Sequence, residues 1–252
     1  MRLRQIALVA RDIEPVHAAL NAVFRLKIAF RDPGVGVFGL VNAVMPVGGD
    51  FLEIVQPVKD DASASRYLHR RGGDAGYMLI FQAPDALAHR DRLAARGIRL
   101  IARHDTPQYT FTHFHPGDFN GVLTSIDTEG DGTSWREPMG KWPPAGKSWK
   151  DHLAPDDILG IAGATVQFKD PSAIAQSWSE LFEVERAGNT ILFDNAEIRF
   201  VSPVDADGTG IVGIDIAVRD PAAILARAAK ANMPAKDGAV RIGGVDFSPV
   251  KA

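Results

Sequence analysis

The sequence predicts an α+β fold assembled from repeated β-α-β-β-β units, and three observations carry that prediction. Four segments share one plan, an apolar strand, an aspartate and then an amphipathic helix. The helices are followed by short β-rich runs rather than by a single strand. No Gly-rich phosphate turn accompanies any strand-to-helix junction, as a doubly wound parallel sheet would require.

The four segments are QIALVARDIEPVHAALNAVF, MLIFQAPDALAHRDRLAARG, ATVQFKDPSAIAQSWSELFE and IDIAVRDPAAILARAAKAN. Their aspartates, Asp12, Asp85, Asp170 and Asp220, stand at the junctions, where a carboxylate accepts from the free N–H groups of the first helical turn. Pro171 and Pro221 follow two of them at the first helical position, where a missing N–H costs nothing. The stripe Val16, Ala19, Leu20, Val23 and Phe24 marks one buried helix face, and Ile174, Trp178, Leu181 and Phe182 mark another. After the first helix the runs KIAFRD, VFGLVNAVMPVG and FLEIVQPV read as three strands separated by Gly- and Pro-containing turns. The last unit is truncated before the C-terminus.

The chain divides into a lobe over 1–128, a linker over 129–157 and a second lobe over 158–252. The linker is rich in Gly, Pro and charge, but its tryptophans, Trp135, Trp142 and Trp149, predict that it is pinned to a surface. RYLHRRGGD (66–74) reads as a solvated basic loop, or as a rim attracting an anionic substrate.

Composition excludes several classes. The net charge is −3 with no basic block, so nucleic acid is not an expected partner. There are no cysteines, which removes disulfides, zinc–thiolate sites and thiol nucleophiles. No stretch approaches the roughly 20 apolar residues of a membrane span, and the apolar run after Met1 is too short for a signal peptide. A cytoplasmic protein with a small-molecule partner is expected.

With QIALVARD opening and FLEIVQP closing its first unit, and HPGDFNGVL turning into the last strand of its first lobe, the chain resembles the vicinal oxygen chelate superfamily. That group includes glyoxalase I, methylmalonyl-CoA epimerase, extradiol dioxygenases and the bleomycin and fosfomycin resistance proteins. The resemblance implies that paired units curl their sheets into a cup. It also implies a divalent metal (Zn, Fe, Mn, Ni or Mg) held seven residues before each capping Asp and at the Glu of each LEL-like run. Counted here, the ligands implied for the first lobe are Gln5 and Glu53, with Met78 and Ser125 at the other two positions. Met78 is a thioether unsuited to a hard ion. In the second lobe the positions fall on Gly163, Gly213 and Arg199, which cannot bind a cation.

Alternation along FLEIV puts Phe51, Glu53 and Val55 on the cup face and Leu52 and Ile54 on the helix face. His113 and His115 share a strand face about 6.5–7 Å apart, a spacing two metal-binding histidines use. A neutral imidazole is also a general base near pH 7, and a His-Pro strand end also simply bonds the turn that follows. The expected catalytic set is His113, His115 and Glu53; the expected metal set is Gln5, Glu53 and His115, unless the metal is absent. Tyr77, Ser125 and Asp127 are the expected substrate contacts, and Asp127 or Tyr77 could assist His115 in metal-free acid/base catalysis. The resemblance implies an isomerase, lyase or dioxygenase acting through an oxyanion or enolate in the N-terminal cup. The alternative is a metal-free binding or resistance-type protein without turnover. The second lobe is expected to serve packing or dimerisation, which makes a homodimer one of the expectations.

Overall fold

The computed structural model describes residues 1–155, 157–204 and 208–252. Residue 156 of the expected linker and residues 205–207 of the expected second lobe lie outside them. In chain order the strands and helices of the first half are β1 (Arg2–Val9), α1 (Ile13–Phe24), β2 (Leu40–Val47), β3 (Asp50–Pro57), α2 (Ser63–Arg71), β4 (Ala75–Gln82), α3 (Ala86–Ala95), β5 (Leu100–Asp105), β6 (Tyr109–Phe114) and β7 (Leu123–Glu129). The second half contributes β8 (Ile158–Gln167), α4 (Pro171–Phe182), β9 (Arg186–Ala187), β10 (Thr190–Leu192), β11 (Glu197–Val201), β12 (Gly210–Val218), α5 (Pro221–Lys230), β13 (Val240–Ile242) and β14 (Val245–Lys251).

The four junction aspartates all cap their helices. Asp12, Asp85, Asp170 and Asp220 accept from the amides of Glu14, Ala88, Ala173 and Ala223 at 2.9–3.1 Å, each worth about 1 kcal/mol. The expected stripes face inward: Val16, Leu20, Val23 and Phe24 are buried on α1, and Trp178 and Phe182 on α4.

Two seven-stranded sheets result, ordered β2-β3-β1-β4-β7-β6-β5 and β13-β14-β12-β8-β11-β10-β9. In each, the opening strands of two units lie side by side and antiparallel, β1 with β4 and β8 with β12. Each opening strand also pairs in parallel with the closing strand of its own unit. This is the α+β architecture of paired units; among the described residues the first and fourth units supply three strands each (β1–β3 and β12–β14) and the second and third supply four.

The helix-facing sides of the two sheets share one core. Phe24 of α1 meets Phe247 of β14 at 5.9 Å, and Phe81 of β4 meets Phe182 of α4 at 4.8 Å. Among the described residues no helix is long and apolar enough to cross a membrane.

Two segments differ from expectation. KIAFRD is not a strand; it makes only a bridge between Phe30 and Val44. Asp32-Pro33 stops it, because proline donates no ladder N–H. Asp32 instead caps a 3-10 turn, Pro33–Phe38, by accepting from the Gly34 amide at 2.8 Å. The basic RYLHRRGGD segment is not a loop but mostly helix α2, which no side chain caps. Its buried stripe, Ala64, Tyr67, Leu68 and Arg71, hides an arginine among apolar positions, which masks the helical period.

Candidate functional site in the N-terminal cup

Strand alternation builds the concave face of the first sheet. Leu52 and Ile54 join the helix-side core while Phe51, Glu53 and Val55 point the other way. Gln5 and Ala7 of β1, Asn42 and Val44 of β2, and Met78 and Ile80 of β4 share that face. On the far side, β6 supplies Tyr109, Phe111 and His113, and β7 supplies Leu123, Ser125 and Asp127. The register places His113 opposite Ser125 and Phe111 opposite Asp127.

The structure brings Gln5 and Glu53 together. Glu53 is buried and both its oxygens accept, Oε2 from Gln5 Nε2 at 2.9 Å and Oε1 from Asn42 Nδ2 at 2.6 Å. Burial pushes its carboxyl above the ordinary carboxylate range, and these two amide donors partly offset that. Asn42 Oδ1 in turn accepts from the Asp32 amide at 2.7 Å, linking Glu53 to the base of the Pro33–Phe38 turn.

The fourth member of this chain comes from the connecting segment. Trp142 donates its indole N–H to Gln5 Oε1 at 2.7 Å. Trp142 and Trp149 are both buried, packing with Phe51, Val44, Met78 and Ile80 inside the cup. Arg4, fully buried, donates to the carbonyls of Pro138 and Gly140 and lies over the rings of Phe51 and Trp142. Trp142 and Trp149 are thus pinned inside the cup rather than on an outer surface, whereas Trp135 is only half-buried, with Arg136 over its ring.

A divalent ion fits this donor set poorly. Gln5 turns its oxygen to an indole N–H, Met78 offers sulfur in apolar packing, and Ser125 donates to the Thr112 carbonyl at 3.1 Å and to Asp127. One carboxylate remains, where a hard cation wants several oxygens. Among the described residues no three His, Cys, Asp or Glu side chains gather as a metal site.

The two histidines diverge. His115 sits at the turn after β6, where Nδ1 accepts from the Gly117 amide at 3.0 Å and lies 3.0 Å from Arg99 Nη2. Arg99 is itself paired with Asp118 at 2.7 Å, so a cation neighbours this imidazole. Neither Gln5 nor Glu53 is among its partners. His113 instead faces the cup, stacked on Phe111 at 4.5 Å, with the Phe38 ring tilted against it at 5.7 Å. Burial lowers it to about 4, so it is a neutral ring at physiological pH. Tyr77 packs edge-on against Tyr67 at 5.3 Å, and burial raises its phenol to about 12.

Asp127 is the most perturbed group with a clear acid/base use. It is 1% exposed and hydrogen-bonded by the hydroxyls of Tyr109 and Ser125. Burial pushes its carboxyl up to about 7 against those two donors. Burial, the carboxylate and the shared hydrogen bond in turn hold Tyr109 neutral. Sequence reasoning missed Tyr109, Asn42 and Trp142. Tyr109 carried a signal: in YTFTHF its ring alternates in step with Phe111 and His113, onto the face of Asp127.

In the second sheet Arg199 stands at the position of Glu53, bonded to Glu197, Thr165 and Asp215 at 2.5–3.0 Å. Gly163 stands against the Glu197 carbonyl, which lies 2.7 Å from where a Cβ would be.

A mutant of 4-hydroxymandelate synthase from Streptomyces coelicolor superposes on 92% of this chain and 75% of its own, with a TM-score of 0.66 and 14% identity. The chain has the vicinal oxygen chelate fold. Over about half the chain, two smaller structures are also similar. Methylmalonyl-CoA epimerase from Streptomyces coelicolor is 20% identical over 51% of this chain and 94% of its own, at a TM-score of 0.46. The epimerase from Mycobacterium tuberculosis is 19% identical over 50% and 85%, at 0.45. No family model and no curated protein matches the sequence. Within the vicinal oxygen chelate fold, the cup described above is where paired units converge.

Proposed function

We propose that the N-terminal cup is the active site of a small-molecule enzyme that moves a proton at a carbon beside a carbonyl, through an enolate or related oxyanion. The observation that carries this reading is Asp127, a buried carboxyl held at about 7 between two hydroxyls on the concave face. A base poised near the working pH is the most effective proton carrier.

The chemistry follows from the hydrogen bonds. Ionised Asp127 takes the proton from carbon, and the C–H electron pair passes to the carbonyl oxygen. Protonated Asp127 no longer needs the Tyr109 hydroxyl as donor, so that hydroxyl is released to the developing oxyanion. Return of the proton on either face completes an isomerisation; loss of a neighbouring group completes an elimination. Glu53 acts at a distance from this step: it fixes Gln5 and Asn42. No step is routed through a metal, because the donor set fits one poorly.

The reading is tested by incubating chelator-treated protein in D2O with a panel of 2-oxo acids, ketones and thioesters. Deuterium entering the carbon beside the carbonyl is followed by NMR. At least one compound exchanges with wild type, and Asp127→Asn slows it by roughly a hundredfold or more. Equal exchange in the variant, or none in wild type, rejects the reading. A second reading, ligand binding without turnover, draws on Trp142 and Trp149 filling part of the cup. It predicts tight binding of a compound whose C–H bonds never exchange.

A further inference from the structure

Resting on the proposed carbonyl chemistry, a second feature of the cup speaks to the substrate. Along β6 the concave face carries Tyr109, Phe111 and His113 in alternation. The imidazole of His113 contacts two phenyl rings. Phe111 covers one side from the same strand, at 4.5 Å with planes 27° apart. Phe38 lies against it at 5.7 Å and 32°, carried by the Pro33–Phe38 turn.

That turn is loosely held. Gly34, Gly36 and Gly39 punctuate it, and a Cβ at Gly36 would meet nothing within 4 Å. Val37 is 83% and Phe38 41% exposed, and no residue of the turn is buried. A segment with few buried contacts opens at little cost. Phe38 therefore leaves its seat easily, whereas Phe111 and His113 are fixed by strand pairing with β5 and β7.

We infer that the seat of Phe38 on His113 is a stacking slot for a planar ring, and that the enzyme's carbonyl substrate is conjugated to such a ring. Displacing Phe38 frees the part of the His113 imidazole it covers, while the stack with Phe111 stays in place. Aromatic pairs gain beyond their buried area in such arrangements, a gain a puckered ring lacks. The register fixes how the ligand lies. His113 faces Ser125, and one strand repeat away, about 6.5–7 Å, Phe111 faces Asp127. A ring on His113 with a short carbonyl arm along the strand points its exchangeable C–H towards Asp127 and Tyr109.

Acetophenone and cyclohexyl methyl ketone are the probes, matched in size and in their methyl ketone arm, differing in planarity. Binding to wild type, Phe38→Ala and His113→Ala is titrated by saturation-transfer NMR. Acetophenone binds the wild type better, and Phe38→Ala tightens it by roughly two- to tenfold while leaving the cyclohexyl ketone unchanged. His113→Ala erases the preference. Equal binding of the two ketones, or weaker acetophenone binding in Phe38→Ala, overturns the slot. Failure of both to bind even Phe38→Ala overturns the slot and the small-molecule cup together. Preferred binding of acetophenone without deuterium entering its methyl group upholds the slot and leaves the proton-transfer reading to be decided, separately, by the wider panel of carbonyl compounds. Phe38 lies on an exposed turn, so its variant tests the slot even where His113→Ala unfolds.

Discussion

Asp127 and His113 lie on neighbouring strands, Asp127 opposite Phe111 and His113 opposite Ser125, and burial drives both towards their neutral forms. Asp127 is raised from 3.8 to about 7, so folding favours its protonated state. Its contribution to stability is present below about pH 4 and is lost as pH rises through about 7. His113 is lowered from 6.5 to about 4, so its contribution is present above 6.5 and is lost as pH falls through about 4. Thermal melting should show this directly. Asp127→Asn gains on wild type as pH rises from about 5 to about 8, and His113→Phe gains as pH falls from about 6 to about 4. Parallel curves for either pair would remove the corresponding burial effect. At this scale the Gln5–Glu53 pair was reached through the ligand positions the resemblance implies, and alternation put Glu53 on the cup face. It did not reach Tyr109 as Asp127's partner, because that pair spans two strands and depends on the β6–β7 register.

The connecting segment is the element that most changes the cup. Arg4 holds it by two carbonyls, and Trp142 hands its N–H to Gln5, more than 130 residues away along the chain. Trp142→Ala should cost about 3–5 kcal/mol by emptying a closely packed site. Trp142→Phe keeps most of the packing and loses the indole donor, leaving the Gln5 oxygen unsatisfied at about 1–3 kcal/mol. Denaturant unfolding separates the two; no loss in Trp142→Phe would mean the Gln5 bond contributes nothing, and equal losses would mean the packing does. The three tryptophans marked this segment as anchored, but no periodicity told where. Similarly, Asp32-Pro33 was visible in the sequence as a breaker, yet reads equally as the end of a strand or the start of a turn. The helix α2 was hidden because Arg71 takes a core position in its stripe.

Across the whole molecule the repeat was the clearest signal, since four copies of strand, aspartate and helix specify paired sheets without any knowledge of their contacts. How the sheets dock was not legible, because the close approaches are made by glycines with no pattern of their own. Gly48, in the turn between β2 and β3 with φ +56, lies so close to β8 that a Cβ would stand 2.0 Å from the Leu159 carbonyl. Gly48→Ala must push the two sheets apart as well as strain its backbone, and should lower the melting temperature by several degrees. With one continuous core behind both sheets, wild type should melt in a single transition. Two separated transitions would mean that the halves are stable independently. The repeat also framed the cup whose proton chemistry rests on one carboxyl. The most direct test of that chemistry needs no substrate: 13C NMR titration of the aspartate carboxyl carbons, with Asp127 assigned from its loss in Asp127→Asn. The account predicts a midpoint near 7 for Asp127. A midpoint near the ordinary aspartate value of about 3.9 would contradict it.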